Sequence, residues 1–134
     1  MLSTQEIIIE AKKAQEKAYA PYSNFRVGAV LECKDGTIFY GANVENASYG
    51  LTVCAERNAI FQAVLNGYRR DDFIKLCLIT DSNSVASPCG ACRQVISEFF
   101  NKDTPIILST SNGQVLTTNI GELLPYGFDG ENLK

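Results

Sequence analysis

Phe73-Ile74-Lys75-Leu76-Cys77-Leu78-Ile79-Thr80 is the stretch whose reading decides the fold. Its apolar residues run on without alternating with polar ones, the pattern of a strand buried on both faces where helices cover the sheet. Before it, Ala55, Ala59, Ile60, Ala63 and Val64 share one face of a helix predicted from about Val53 to Asn66, with Thr52 as N-cap and Gly67 as stop. After it, Ser87 is read as a cap and Pro88 as the first residue of a helix continuing to about Phe100. Further out, Phe25 to Cys33 and Thr37 to Asn43 flank Lys34-Asp35-Gly36 and pair as a hairpin. Pro105 to Ser109 and Val115 to Thr118 do the same around Asn112-Gly113. Ser3-Thr4-Gln5-Glu6 forms a capping box for a first helix that carries Ile7, Ile8, Ala11, Ala14, Gln15 and Ala18 up to Pro21. Asn119 to Glu122 opens a short last helix ended by Pro125, and Val44 to Leu51 is expected as a loop lining a site. The order α-β-β-α-β-α-β-β-α predicts an α/β fold, a three-layer α-β-α arrangement of one domain over residues 1–134 with a mixed five-stranded sheet.

Composition narrows the partners. The 134 residues are 46% hydrophobic and 20% charged, enough for one core. A net charge of -3 without any Lys/Arg run speaks against nucleic acid as a partner. Met1 to Lys13 mixes acids with isoleucines and has no basic flank before an apolar run, so neither a signal peptide nor a membrane span is expected. A cytoplasmic location is the expectation. Five cysteines, an odd number in a chain with no export signal, favour metal binding over a disulfide framework. The absence of histidine removes Ser-His-Asp and Cys-His hydrolases and H-E-x-x-H metalloproteases.

Chemistry concentrates in two stretches. Cys54-Ala55-Glu56-Arg57 puts a soft metal ligand two residues from a carboxylate, and Ser87-Pro88-Cys89-Gly90-Ala91-Cys92-Arg93-Gln94 adds two thiols. Structural zinc sites close with four protein ligands, whereas catalytic sites use three and keep a place for water. Three thiols plus a nearby acid therefore read as catalysis. Cys54 and Glu56 would point apart in mid-helix, but at a first turn side chains can fold over the helix end. Both stretches fall at predicted helix N-termini, whose partial positive charge favours thiolates. Three thiolates around a divalent ion leave one net negative charge, which Arg57 is placed to offset. Each feature alone has a plainer reading: Cys89 and Cys92 as a redox dithiol, Glu56 and Arg57 as solvated helix-end charges. Cys33 and Cys77, inside strands, are expected in the core.

The combination Cys54-Ala55-Glu56 with Pro88-Cys89-x-x-Cys92 resembles the signature of the zinc deaminases, in the form with cysteine as first ligand. Ala20-Pro21-Tyr22-Ser23-x-Phe25-x-Val27-Gly28-Ala29, Gly41-x-Asn43-x-Glu45-Asn46-Ala47, Tyr49-Gly50 and Glu122-Leu123-Leu124-Pro125 extend the resemblance to the short, homotetrameric cytidine deaminases over nearly the whole chain. The resemblance implies hydrolytic deamination of cytidine and 2'-deoxycytidine, with one zinc ion per chain held by Cys54, Cys89 and Cys92. It implies that Glu56 shuttles protons, that the Ala55 N–H binds the base carbonyl, that Asn43 and Glu45 hold the ribose and that Phe25 stacks on the base. Tyr49 and Phe128 match positions that such enzymes lend to a neighbouring subunit's pocket. Two other readings remain open: a deaminase acting on RNA, DNA or a nucleoside antibiotic, and a zinc module without activity. The acidic balance weighs against polynucleotides, and an acid beside an incomplete ligand set weighs against a purely structural ion.

Overall fold

The computed structural model describes residues 1–133. Its first helix, α1 (Thr4–Gln15), begins with the expected reciprocal cap: Glu6 N donates to Ser3 Oγ at 3.1 Å and Ser3 N to Glu6 Oε1 at 2.9 Å. The helix stops at Gln15, short of Ala18. Tyr19 donates its N–H to the Asn43 carbonyl and bridges Val44, which demands extended backbone there.

Strands β1 (Val27–Cys33) and β2 (Ile38–Ala42) form the predicted antiparallel hairpin, with Gly36 at φ +90° in the turn. Strand β3 (Phe73–Thr80) spans the predicted stretch and lies beside β1, antiparallel to it. Strand β4 (Ile106–Thr110) runs parallel to β3, and β5 (Val115–Thr118) returns antiparallel, giving the order β2-β1-β3-β4-β5. Both faces of this mixed sheet are covered. Ile7 and Ala11 of α1 pack against Val30, Cys77, Ile79 and Ile107 on one face. On the other, Leu31, Leu76, Leu78 and Leu108 meet α2 (Ala55–Leu65) and α3 (Gly90–Phe99), with α4 (Ile120–Leu123) at their margin. Cys33 and Cys77 are buried core residues as expected, their thiols pushed up by burial to about 11 and about 12. Among the described residues, no helix is long and apolar enough to cross a membrane.

Two glycines set the helices close to the sheet. A Cβ on Gly28 would lie 2.2 Å from the Ala11 carbonyl oxygen, and one on Gly41 2.2 Å from that of Ala55. Gly41 therefore lets the first turn of α2 seat directly on β2.

The starts of α2 and α3 differ from the sequence expectation. Thr52 does not cap α2; Val53 pairs antiparallel with Val44, which keeps the chain extended until Cys54 takes the N-cap position. Ser87 and Pro88 likewise precede α3, whose N-cap is Cys89, its Sγ accepting from Cys92 N at 3.4 Å. The predicted loop from Val44 to Leu51 contains that bridge and a 3-10 turn at Tyr49–Leu51.

Candidate functional site

Each helix N-cap on the α2/α3 face is a cysteine, and α3's first turn adds another. Cys54, Cys89 and Cys92 bring their sulfurs within 4.8 Å of one another. Tetrahedral zinc with bonds of about 2.3 Å separates its sulfur ligands by about 3.8 Å, so a small contraction suits this donor set to that ion. The three differ in exposure: Cys92 is buried, Cys54 half-buried and Cys89 exposed. Among the described residues this is the only cluster of three or more such ligands.

Charge is distributed unevenly across the cluster. Cys92 donates a hydrogen bond to Cys54, and Arg57 Nη2 donates to Cys54 Sγ at 3.1 Å, so the Cys54 thiol is drawn down to about 5. The same contact holds Cys92 well above the usual thiol range. Arg57, beside both sulfurs, has its guanidinium held more firmly protonated than usual, chiefly by its bond to Cys54. Glu56 is 5% exposed, and burial pushes its carboxyl up to about 7, helped by the neighbouring Cys54 thiolate. An acid of this kind gives and takes protons near neutral pH.

The cluster opens into a cavity of about 380 Å³ whose lining includes Phe25, Asn43, Glu45, Tyr49, Ala55 and Glu56. That volume suits a small molecule rather than a polymer. Asn58, on the first turns of α2, donates to the Ala42 carbonyl at 2.7 Å and fixes the helix start against β2. Asn43 holds the far wall: its Oδ1 accepts from Val27 N and its Nδ2 donates to Phe25 O, both at 2.9 Å. Buried Glu45 gathers Tyr22 N at 3.0 Å, Ser23 N at 3.1 Å and the Ser23 hydroxyl, which holds its carboxyl below the usual range. The loop carrying Phe25 is thus folded around this carboxylate.

Of the predicted site residues, Cys92 and Arg57 sit behind the cavity wall beside Cys54, and Phe128 alone lies away from both cavity and thiol cluster. Its ring is exposed, and its carbonyl accepts from Gln94 Nε2 at 2.6 Å. Conversely, Ser23, Thr52, Thr80 and Ser87 line the cavity although the sequence reading gave none of them a part in the site, taking Thr52 and Ser87 only as helix caps. Ser23 was within sight, inside the Pro21-Tyr22-Ser23 motif. Thr80 and Ser87 carry no signal beyond their places after β3 and before Cys89.

A profile of the family described as "Cytidine and deoxycytidylate deaminase zinc-binding region" matches residues 1–108. The cytidine deaminase of Sporosarcina psychrophila is 47% identical over 132 residues, 98% of this chain and 96% of its own. That of Halalkalibacterium halodurans is 46% identical, covering 98% of each chain. Among solved structures, the cytidine deaminase from Burkholderia pseudomallei superposes with a TM-score of 0.92 at 47% identity, over 95% of this chain and 100% of that one. The enzyme from Mycobacterium tuberculosis gives 0.78 at 34% identity, over 96% and 98%. A thiol cluster that suits zinc, beside a buried acid and within a matching fold, accords with these likenesses: the chain belongs to the cytidine and deoxycytidylate deaminase family.

Proposed function

We propose that this single-domain chain, residues 1–134, is a zinc-dependent hydrolase converting cytidine and 2'-deoxycytidine to the uridines and ammonia. Its place is pyrimidine salvage, in the cytoplasm, as a homotetramer with shared active sites. The observation that carries this reading is a buried, near-neutral acid, Glu56, beside three converging thiols on the wall of a nucleoside-sized cavity.

Cys54, Cys89 and Cys92 hold the ion, one per chain. Zinc bound there supplies a Lewis acid that makes water a competent nucleophile near neutral pH. The chain's own residues manage protons and position. Glu56 accepts the proton that water loses as the new bond to C4 forms and passes it to ring N3, then takes the remaining proton from the C4 hydroxyl and delivers it to the exocyclic amine as the C4–N bond breaks and the keto group forms. The sum is nucleoside plus water to keto product plus ammonia. The Ala55 N–H, at the start of α2, donates to the base carbonyl, and Phe25 stacks on the ring. Asn43 and Glu45 bind the ribose hydroxyls with the hydrogen-bonding capacity left after they have fixed the loop from Tyr22 to Phe25. Arg57 offsets the excess charge of three thiolates by its bond to Cys54.

Tyr49 and Phe128 serve the boundary between subunits. Tyr49 is 68% and Phe128 55% exposed, large apolar area for a small domain to leave in water. Incubating zinc-loaded protein with cytidine while following the ultraviolet change and ammonia tests the reading; a loaded protein that releases no ammonia would falsify it.

A further inference from the structure

We infer that Arg93 is a positioning residue for the zinc centre: it fixes the stretch from Ser87 to Cys89, and through it the most exposed of the three ligands. This rests on the reading that the three thiols bind zinc.

The need for such a residue follows from local structure. Residues 81–88, between β3 and the N-cap of α3, have neither ladder nor helix bonds of their own. Pro88 is buried and no backbone N–H donates to its carbonyl, so that oxygen needs a side-chain donor. Cys89 is exposed, whereas Cys92 is packed in the core and Cys54 is engaged by Arg57. Its own bonds, Sγ accepting from Cys92 N and carbonyl from Arg93 N, tie Cys89 to α3, so the chain leading into it needs a separate hold.

Arg93 sits on the first turn of α3 and reaches back over the helix start. Its Nε donates to Pro88 O at 2.9 Å, its Nη2 to the Ser87 hydroxyl, and its Nη1 to Leu123 O at 2.7 Å. The last of these is a carbonyl at the end of α4, so one planar guanidinium joins the ligand loop, the ligand helix and the C-terminal helix. Three acceptors spread around a fork suit arginine; an ammonium offers its donors from a single point. The next residue, Gln94, adds the bond to Phe128 O, so the C-terminal segment is held by the same turn that presents Cys92. Ser87 and Pro88 also line the cavity, so a shift of this stretch moves the ligand and the pocket wall together.

The test uses full-length, zinc-loaded Arg93→Ala and Arg93→Lys. Transfer of zinc to a chromogenic chelator is timed at neutral pH, and kcat and KM for cytidine are measured per zinc-loaded, folded chain. Both variants are expected to release zinc about tenfold faster than wild type, in the range typical of lost outer partners of metal ligands. Both should lose about tenfold or more in kcat, because small misplacements of a reacting constellation are costly. Arg93→Lys keeps the charge and most of the stem, so it folds if Arg93→Ala does not, and its failure to restore either rate marks geometry as the cause. Wild-type zinc release and kcat in Arg93→Lys overturn the inference, as does a loss of activity that vanishes once folded protein is counted. The chelator assay needs no substrate. Faster zinc loss in the variants of a protein that does not deaminate cytidine would therefore sink the proposed reaction and leave the role of Arg93 standing.

Discussion

Arg57 Nη2 lies 3.1 Å from Cys54 Sγ, so a cation is bonded directly to the ligand whose thiol is drawn down to about 5. Removing it leaves three thiolates and one divalent ion with no direct charge offset. Arg57→Ala is expected to lose zinc about tenfold faster, or to move the activity profile to higher pH, because a more negative centre makes water harder to deprotonate. Zinc transfer kinetics and a pH–rate curve read the two effects. If neither changes, Arg57 is an ordinary helix cation.

Glu56→Gln keeps size and polarity while abolishing proton exchange. The variant should fold and retain its zinc, yet lose roughly three orders of magnitude or more in kcat. Metal analysis alongside steady-state rates separates the two properties. Activity within tenfold of wild type, at full zinc occupancy, would remove Glu56 from the mechanism.

Stripping the metal exposes the cost of burying Glu56. In the metal-free protein its carboxyl stands at about 7, above the 4.5 of an unperturbed glutamate, so the folded state binds the proton more tightly than the unfolded one. The Glu56 contribution is therefore present in full below pH 4.5 and is lost as pH rises through about 7. Cys54, drawn down to about 5 from 9.0, acts in the opposite sense between those values in both wild type and Glu56→Gln, and in wild type its thiolate adds to the Glu56 shift. Urea midpoints of the two metal-free proteins should thus diverge between pH 4.5 and 7, with wild type falling relative to the variant. Parallel curves would show that the carboxyl is not perturbed.

Gly41→Ala and Gly28→Ala make a matched pair. Each added Cβ would meet a carbonyl oxygen at 2.2 Å, on α2 for Gly41 and on α1 for Gly28. Both should cost about 1–3 kcal/mol or more through overpacking. Only Gly41→Ala displaces the turn that carries Cys54 and Glu56, so only it should lower kcat per folded, zinc-loaded chain. Equal loss of kcat in both would mean that strain spreads through the whole sheet.

Sharing of sites between subunits is open to complementation. Glu56→Gln and Phe128→Ala oligomers, each impaired, are unfolded and reassembled together. If Phe128 closes a neighbour's pocket, some hybrid pockets combine an intact Glu56 with an intact Phe128, and activity exceeds the mean of the parents. Hybrids verified by native mass spectrometry that never exceed that mean point to pockets built within one chain.

Strand β3 was legible to the residue because burial on both faces leaves an uninterrupted apolar run, and the glycine turns made both hairpins legible. Helix starts were less so. Thr52 and Ser87 have the composition of caps, but the Val44–Val53 bridge moves one start to Cys54, and a thiol accepting from Cys92 N, an unusual cap, moves the other to Cys89. The cluster of Cys54, Cys89 and Cys92 could be read from spacing alone. The Arg93 fork could not, since one of its acceptors lies on a carbonyl 30 residues further along the chain.

The gradient of exposure across the three thiols gives the centre a direction. The buried Cys92 is its closed end and the exposed Cys89 its open one, and Cys89 also lines the cavity. An ion approaching Cys89 from the cavity side would share that side with a bound nucleoside, so zinc transfer to a chelator is expected to slow when the cavity is filled.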